Sequence, residues 1–309
     1  MPNNSSIINK AAIDTGSMTY GLLNPEQARK FVQQTFEATT LSGLIRHEMR
    51  TAKTGEIDKI GIASRIVRKK VEDTDDGYRA GVTTNQIEYA TTAVRLPWEI
   101  TEETLRENIE GQNLEAIITN LMTTQLGIDM EDLYLNGNEA TESSDPDYDF
   151  LKINDGWIKQ ITSDGHILDA SGSAYGGGMS LDLFYNMLAM IPNKYNNGKL
   201  RWLMSPRRAQ EWELFLLNKV VGAGGAVPES LYNAPAKIPT VQCPSMDDST
   251  ILLTDPKNLI VVNTYDVKIR KTVEGKEAIM QDKRFYVTHL DYDPIIEETD
   301  ATGIITGLK

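Results

Sequence analysis

Three histidines are the first residues of this chain to test for catalysis or metal binding. His47-Glu48 begins like a zinc-protease helix, in which two histidines four residues apart bind the metal, but Thr51 stands at the second position. His166 follows an expected turn, and His289 lies in an alternating strand pattern. Because the histidines are far apart and none completes a motif, the sequence predicts no catalytic residue and no metal site.

One acidic string has the alternation of a calcium-binding loop. Asp145, Asp147 and Asp149 are spaced as such ligands are, but the loop also needs glycine at its sixth position and glutamate at its twelfth. Phe150 and Gly156 stand at those positions, which favours an ordinary solvated loop. The sequence contains no Walker A motif and no Rossmann glycine motif after a strand, so we expect no cofactor.

The densest charges lie in one short segment, where a basic run precedes an acidic run. A nucleic-acid contact would use the basic residues, but the adjacent acids oppose it. The structural interpretation, which we favour, is that opposite charges at a hairpin tip orient it against complementary neighbouring molecules. The basic residues are Arg65, Arg68, Lys69 and Lys70, and the acidic residues are Glu72, Asp73, Asp75 and Asp76.

The composition is that of a soluble folded protein. Of the 309 residues 40% are hydrophobic and 24% charged, and the net charge of -13 argues against a dedicated nucleic-acid binder. No apolar run reaches the roughly 20 residues that span a bilayer, and the polar N-terminus lacks the pattern of a secretory signal. The single cysteine, Cys243, suits a reducing compartment. We therefore expect a cytoplasmic protein without membrane contacts.

The N-terminal sequence predicts an extended arm followed by a helix. Asn24-Pro25-Glu26 supplies a capping residue, a proline at the first helical position and an acid in the first turn. We expect Phe31 and Phe36, on the apolar side of this helix, to contact neighbouring molecules. The apolar stripe consists of Ala28, Phe31, Val32 and Phe36, and Leu41 and Ile45 follow as two short apolar anchors.

Residues 51–98 have the pattern of a long β-hairpin. Apolar residues lead outward from Glu56 to Lys70, residues 72–77 form a turn by composition, and the return strand changes phase before Trp98. A strand from Glu56 to Lys70 spans roughly 50 Å, whereas a compact chain of this length has a radius of gyration of about 19 Å. We therefore expect this arm to lie across a neighbouring copy of the chain.

A long helix and a mixed region follow the hairpin, so the predicted fold class is α+β. Apolar residues at helical spacing continue from Leu114 to Leu133 and stop at Asn136-Gly137. Two further helices are predicted at Leu181–Ile191 and Pro206–Leu217. Strands are predicted at Leu200–Met204, Ile251–Leu253, Leu259–Val262, Val267–Thr272 and Arg284–Tyr292.

Five strings follow one another in a defined order along the chain. They are VRLPWEIT (94–101), LYLNGN (133–138) with DGWI (155–158), RWLMSP (201–206), TILLTDPKNL (250–259) and TDATGI (299–304). By order and spacing they resemble the HK97-like major capsid proteins of tailed bacteriophages, over nearly the whole chain. Thr254 departs from the glycine usual in that family, and Gly303 from the usual alanine or phenylalanine.

The resemblance implies an HK97-like capsid fold with a division of the chain into four parts. These are an N-terminal arm and helix (1–50), an E-loop hairpin (51–98), a peripheral domain with a long spine helix (99–137 and 263–290) and an axial domain (138–262 and 291–309).

The resemblance also implies a structural function without catalysis. Subunits would assemble as hexamers and pentamers, in the host cytoplasm, into the icosahedral shell of a virion that encloses double-stranded DNA without specific contacts. A scaffolding protein, a portal and a decoration protein are the further partners implied. Some relatives crosslink an E-loop lysine to an asparagine of the next subunit, a role open to Lys69 or Lys70. Two alternatives stay open: an encapsulin-type nanocompartment shell, and a soluble enzyme with a flexible β-arm.

Overall fold

The computed structural model describes residues 41–62, 65–69, 72, 77–107, 113–222, 232–264 and 268–309. Helices and strands are mixed along them, which confirms the predicted α+β class. The helices are α1 (Glu102–Glu107), α2 (Asn113–Asn136), α3 (Tyr148–Leu151), α4 (Trp157–Asp164), α5 (Leu181–Met190), α6 (Pro206–Gly222) and α7 (Lys276–Gln281). The strands are β1 (Arg46–Met49), β2 (Thr54–Gly61), β3 (Thr83–Ala90), β4 (Thr92–Thr101), β5 (His166–Asp169), β6 (Arg201–Met204), β7 (Thr240–Gln242), β8 (Ile251–Thr254), β9 (Leu259–Asn263), β10 (Lys268–Thr272), β11 (Lys283–Ile296) and β12 (Gly303–Thr306).

The 14-residue strand β11 organises the first sheet, because its two halves have different partners. Residues 283–292 pair antiparallel with β4, and β10 pairs with the same half on its other side. Residues 293–296 pair with β9, which runs parallel to β1. Residues 286–290 alternate between buried and half-buried, whereas residues 290–296 are all buried. The strand therefore passes from a half-covered sheet into the protein core.

The second sheet has the order β5-β12-β8-β6-β7. All four residues of β8 are buried, as is typical of a strand covered on both faces. The helices α5 and α6 meet over this sheet through aromatic rings. Phe184 of α5 contacts Trp202 of β6 and Trp212 of α6 edge-on, with 4.9 Å between ring centroids in each case.

The N-terminal half of α2 packs on the first sheet. Leu114 and Ile118 lie in one cluster with Trp98 and Ile100 of β4, and Trp98 stacks on Tyr286 of β11 with 5.2 Å between centroids. The C-terminal half of α2 joins the main core instead. The long helix that the sequence predicts is therefore present and connects the two parts of the core.

Ion pairs hold the start of α2 against β11. Arg284 forms ion pairs with Glu102 of α1 and Glu115 of α2, and Lys271 of β10 also pairs with Glu115. The hydrogen bonds from Arg284 keep the pKa of Glu102 below its usual value and raise the pKa of Arg284. The Glu102 carboxylate therefore stays ionised to lower pH than an ordinary glutamate, which maintains its ion pair with Arg284.

The hairpin ladder is shorter than the sequence predicts. β2 and β3 form eight antiparallel pairs, from Thr54 with Ala90 to Gly61 with Thr83, which is a ladder of about 24 Å. The prediction of a strand from Glu56 to Lys70 is therefore wrong beyond Gly61, since no described residue between 62 and 82 belongs to a strand. A two-stranded ribbon is only marginally stable by itself and needs one face packed against other elements. Here that packing ends near Gly61.

The predicted division into peripheral and axial domains stays a prediction. The strands of the second sheet all lie within the predicted axial ranges, whereas the first sheet cuts across the division, because β9 comes from the axial range and pairs there with β11. Both sheets contact the same main core, which includes Leu252 of β8 and Val261 of β9.

Candidate self-association surface

The paired strands β2 and β3, here called the hairpin base, are packed against their own subunit. Ile57 and Tyr89 form a cluster with Ile260, Val262 and Ile295 of the first sheet. These side chains share one face of the ribbon, because Ile57 and Tyr89 follow the alternation of their strands. The base therefore has its own hydrophobic anchor.

Glycine at the start of the base makes room for the tyrosine. Gly55 stands opposite Tyr89 in the ladder, and a Cβ atom at Gly55 would lie 2.8 Å from the Tyr89 hydroxyl oxygen. The ring therefore lies against residue 55, and a side chain there would displace it.

Polar contacts tie the two sides of the base to β11 and its following loop. The Ala90 N–H donates to Asp293 Oδ2 at 2.7 Å. Lys59 Nζ donates to the Glu297 carbonyl at 2.9 Å and forms an ion pair with Glu298. Burial raises the pKa of Asp293, against the opposing effect of the hydrogen bonds from Ala90 and Asn154.

The return strand is interrupted at Thr91, slightly before the change of phase that the sequence predicts between Ala93 and Val94. Thr91 separates β3 from β4, and its N–H donates to the Lys53 carbonyl at 2.8 Å. Its hydroxyl donates to Asp291 at 3.3 Å, and the same fully buried carboxylate accepts the Thr264 N–H at 2.8 Å. The chain thus leaves the ribbon at a point held by a buried carboxylate and enters the first sheet.

Beyond the base, the described residues of 62–82, here called the hairpin tip, expose apolar side chains. Ile62, Val67 and Val82 are 57%, 91% and 67% exposed, and Ile60 at the outer end of β2 is 71% exposed. Monomeric proteins seldom expose several large aliphatic side chains on one short segment. The tip is therefore a candidate surface for contact with another molecule.

The structure places four of the predicted contact residues in this tip. Arg65, Lys69 and Glu72 are exposed. The Arg68 guanidinium lies 4.2 Å from the centre of the Tyr78 ring, an attractive cation–π contact that positions the charged group. Lys70, Asp73, Asp75, Asp76, Phe31 and Phe36 lie outside the described residues, and the contact role of the whole set stays a prediction.

Sequence reasoning missed a second exposed apolar surface, around the turn from β10 to β11. Val273, Ile279 and Met280 are 45%, 68% and 78% exposed, and Ile269 of β10 is exposed as well. The available signal was the adjacent pair Ile279-Met280 in a segment that is otherwise charged. This surface is a second candidate for contact between copies.

Two of the residues tested first for chemistry, His47 and Asp145, have ordinary structural partners. His47 Nε2 lies 3.0 Å from the Ser42 carbonyl, and Asp145 accepts the Asp147 N–H at 2.9 Å. Among the described residues, no group of three or more His, Cys, Asp or Glu side chains is placed to hold a metal ion. No helix in the same part of the chain is both long and apolar enough to cross a membrane.

Comparison with known proteins gives relatives over the full length. No family model matches the chain. It is 29% identical over 324 residues to the "putative prophage capsid protein YqbE" of Bacillus subtilis (strain 168), with 99% of each chain covered.

Solved structures share the fold at low sequence identity. A chain of Gordonia phage Cozz matches with a TM-score of 0.65 at 12% identity, covering 96% of this chain and 95% of that one. A chain of the satellite phage P4 procapsid that includes the size determination (Sid) protein matches with a TM-score of 0.60 at 15% identity, covering 87% and 95%. The chain is thus similar in sequence over its full length to a prophage capsid protein and has the HK97-like fold of phage major capsid proteins.

Proposed function

We propose that this chain is the major capsid protein of a tailed phage or prophage, with a structural and not a catalytic function. The fold and the full-length similarity to a prophage capsid protein support a shell subunit. The observation that carries the proposal is the hairpin, whose base is anchored while its tip exposes Ile62, Val67 and Val82. A rigidly held arm with an apolar end is suited to cover a neighbouring copy.

In this proposal the subunits form hexamers and pentamers that close into an icosahedral shell. The hairpin tip of each subunit lies on its neighbour, with Arg65, Lys69 and Glu72 orienting it through complementary charges. Obligate interfaces of this type bury roughly 2,000–5,000 Å². Lost freedom and polar desolvation cancel most of the gain, so that each contact stays weak enough for errors to be corrected during assembly.

The charge of the chain suits a container for DNA. A net charge of -13 keeps non-specific affinity for phosphate low, so that packaged double-stranded DNA is enclosed and not bound. We place the protein in the virion capsid, assembled in the host cytoplasm. A scaffolding protein and a portal are the partners proposed for assembly. A decoration protein is proposed for the finished shell, by analogy with the phage G assembly of gp27 major capsid proteins and gp26 decoration proteins.

The layout that supports this arrangement follows the predicted domains. The peripheral domain (99–137 and 263–290) would carry α2, and the axial domain (138–262 and 291–309) would meet its copies around the symmetry axes. The exposed Ile279 and Met280 belong to the predicted peripheral range and would offer a further contact between copies.

Expression of the chain, alone and with a scaffolding protein, tests the proposal. We expect closed shells of uniform diameter by negative-stain electron microscopy and a fast-sedimenting species by analytical ultracentrifugation. A protein that stays monomeric at high concentration under both conditions would contradict the proposal. Purified particles that contain a cargo protein in place of DNA would support the encapsulin-type alternative.

A further inference from the structure

The polar contacts between the hairpin base and the body lie at two separate levels along the ribbon. At the level where the ribbon leaves the first sheet, the Ala90 N–H donates to Asp293 Oδ2 at 2.7 Å. The second level is at Lys59, five residues farther out than Thr54, the partner of Ale90 in the ladder, which is about 17 Å along the strand. An arm that is held at two separated points has a fixed direction, whereas an arm held at one point can swing about it.

The contact at the outer level is directional, unlike the apolar contact between the two levels. Ile57 packs on the first sheet, and hydrophobic burial favours such a contact without specifying its angle. Lys59 Nζ instead donates to the Glu297 carbonyl at 2.9 Å and forms an ion pair with Glu298. Hydrogen bonds weaken steeply when their geometry is distorted, so the contacts of Lys59 restrict the direction of the ribbon.

The bend that receives Lys59, formed by Glu297 and Glu298 and here called the β11 bend, is itself held in place. The Glu297 N–H donates to the Asn258 carbonyl at 3.0 Å, and the Glu298 N–H donates to Asn258 Oδ1 at 2.9 Å. Asn258 Nδ2 donates in turn to the Glu298 carbonyl at 2.9 Å. Asn258 is 8% exposed. Three hydrogen bonds to one buried residue make the β11 bend a fixed point for Lys59.

The β11 bend also connects to elements on both sheets. The Glu297 carboxylate forms an ion pair with Arg46 of β1 at 2.7 Å. Burial acts to raise the pKa of Glu298, but hydrogen bonds from Lys59 and from Tyr195, in the loop after α5, keep that pKa below its usual value. The carboxylate therefore stays ionised to lower pH than an ordinary glutamate. Through this bend the hairpin is connected to the second sheet as well as to the sheet beneath it.

We propose that Lys59 and the β11 bend act as a lock that sets the angle at which the hairpin leaves the subunit. The consequence for assembly rests on the proposed function, in which the hairpin tip lies on a neighbouring copy. The displacement of an arm grows with distance from its hinge, so a small rotation of the base moves the tip by more. Because the same angle is repeated in every copy, it sets the curvature with which the shell closes.

Distance measurements between two spin labels test the lock in the unassembled subunit. The labels are attached at Thr84→Cys, on the face of β3 that points away from the body, and at Asn196→Cys, in the loop after α5. Both positions are exposed, and the native Cys243 is completely buried. We expect one narrow distance distribution with Lys59 in place. Lys59→Met removes the charge and keeps the unbranched chain, and we expect the single narrow peak to be lost.

Two further variants are matched controls. Lys53→Met removes the same charge from the start of the hairpin segment, where the side chain is exposed, and should leave the narrow peak unchanged. Lys59→Arg keeps a charged donor at the outer level and should retain the peak. Circular dichroism should show that all variants are folded, because one partly exposed ion pair contributes little to stability. If Lys59→Met is unfolded, Glu298→Gln removes the ion pair from the other side and supplies the same readout.

The possible results separate the lock from its consequence for assembly. A narrow peak that persists in folded Lys59→Met or Glu298→Gln, or that is lost equally in Lys53→Met, would overturn the lock. Negative-stain microscopy should show shells of mixed diameter from Lys59→Met and of uniform diameter from Lys53→Met. Uniform shells from a variant that has lost the narrow peak would overturn the connection between hairpin angle and curvature. If the unsubstituted chain forms no shells, the capsid proposal fails, whereas the distance measurement still decides the lock.

Discussion

The hairpin base and the hairpin tip belong to one continuous segment, yet their apolar residues meet opposite environments. Ile57 and Tyr89 in the base are 9% and 7% exposed, because the first sheet lies beneath them. Val67 and Val82 in the tip are 91% and 67% exposed. Hydrophobic character is the same in both places, so the difference lies in what each part finds to pack on. The base stabilises the subunit, and the tip is available to stabilise an assembly.

This comparison also separates two kinds of energy. Complete burial of a large apolar side chain contributes about 1.5–3 kcal/mol, and in the base that free energy belongs to the folding of one chain. At the tip the same free energy is released only when a second molecule covers the side chains. Substitutions in the two regions should therefore change different measurements.

The largest expected effect comes from charges at the tip. Replacing Val67 and Val82 by Asp should abolish closed shells, because burying an unpaired carboxylate at an interface costs several kcal/mol in every copy. The unassembled subunit should keep its melting temperature, since both positions are exposed. Sedimentation and negative-stain microscopy measure assembly, and calorimetry measures the subunit.

The double substitution Val67→Thr with Val82→Thr is the control for that experiment. It keeps the branched shape without adding charge, and shells should form at reduced yield. Normal shells from the aspartate variant would show that the tip lies outside the interfaces. The tip would then not stabilise the assembly, which contradicts the proposed difference between base and tip.

A smaller effect, of the opposite kind, is expected in the base. Tyr89→Ala should lower the free energy of unfolding of the subunit by about 3 kcal/mol, because it opens a cavity over Ile260 and Ile295. Tyr89→Phe keeps the ring and should cost less than about 1 kcal/mol. Denaturant titration of the unassembled subunit measures both. Equal stability of the alanine variant and the unsubstituted chain would mean that the base is not anchored as described.

The polar anchor of the base should show itself as a pH dependence. Burial raises the pKa of Asp293 from its usual 3.8, so the folded state holds the proton more tightly than the unfolded state. The free energy of unfolding therefore falls as the pH rises from the pKa of Asp293 in the unfolded state to its higher pKa in the folded state. Asp293→Asn removes the titration and should flatten the profile in that window.

Urea titrations of both proteins between pH 3 and pH 7 measure this difference. The asparagine keeps an oxygen that can accept the Ala90 N–H, so the variant should fold at every pH tested. A pH profile identical to that of the unsubstituted chain would argue against a buried carboxylate at this position.

The smallest effect is expected at the charged part of the tip. Arg68→Ala removes the contact with the Tyr78 ring and should change subunit stability by less than about 1 kcal/mol. Assembly should slow and its dependence on salt should weaken, if the tip charges steer the arms onto their neighbours. Light scattering at two ionic strengths measures both. Arg68→Lys is the control, because it keeps the charge and loses the planar group.

Local pattern was sufficient for much of the fold. The predicted helix end at Asn136 and the strand from Leu259 agree with the structure to within a residue, because helical and strand periodicities report on the faces that are buried. The short strands β1, β5 and β12 were missed. Each has four residues and at most two consecutive apolar ones. The equally short β6 and β8 were predicted because each carries three consecutive apolar residues. The strand form of the missed segments depends on partners distant in sequence.

The candidate surface was predicted only in part, because some of its features depend on neighbours in sequence and others on residues that are distant in sequence. The hairpin, a change of phase in its return strand and its exposed charges follow from residues that are neighbours in sequence, although the break lies at Thr91 and not between Ala93 and Val94 as predicted. The length of its ladder does not, since pairing ends where the support of Ile260 and Val262 ends. The exposed pair Ile279-Met280 was missed for the same reason, because apolar residues alone do not reveal whether a sheet lies over them.

The order of elements, the fold class and the absence of a recognisable catalytic motif were determined by the sequence itself, through spacing and residue type. The tertiary structure decided which apolar residues are satisfied within the subunit and which are left for another molecule. A side chain is buried only when a second surface covers it. A local stretch of sequence determines which apolar residues it presents, but it does not determine which surface will cover them.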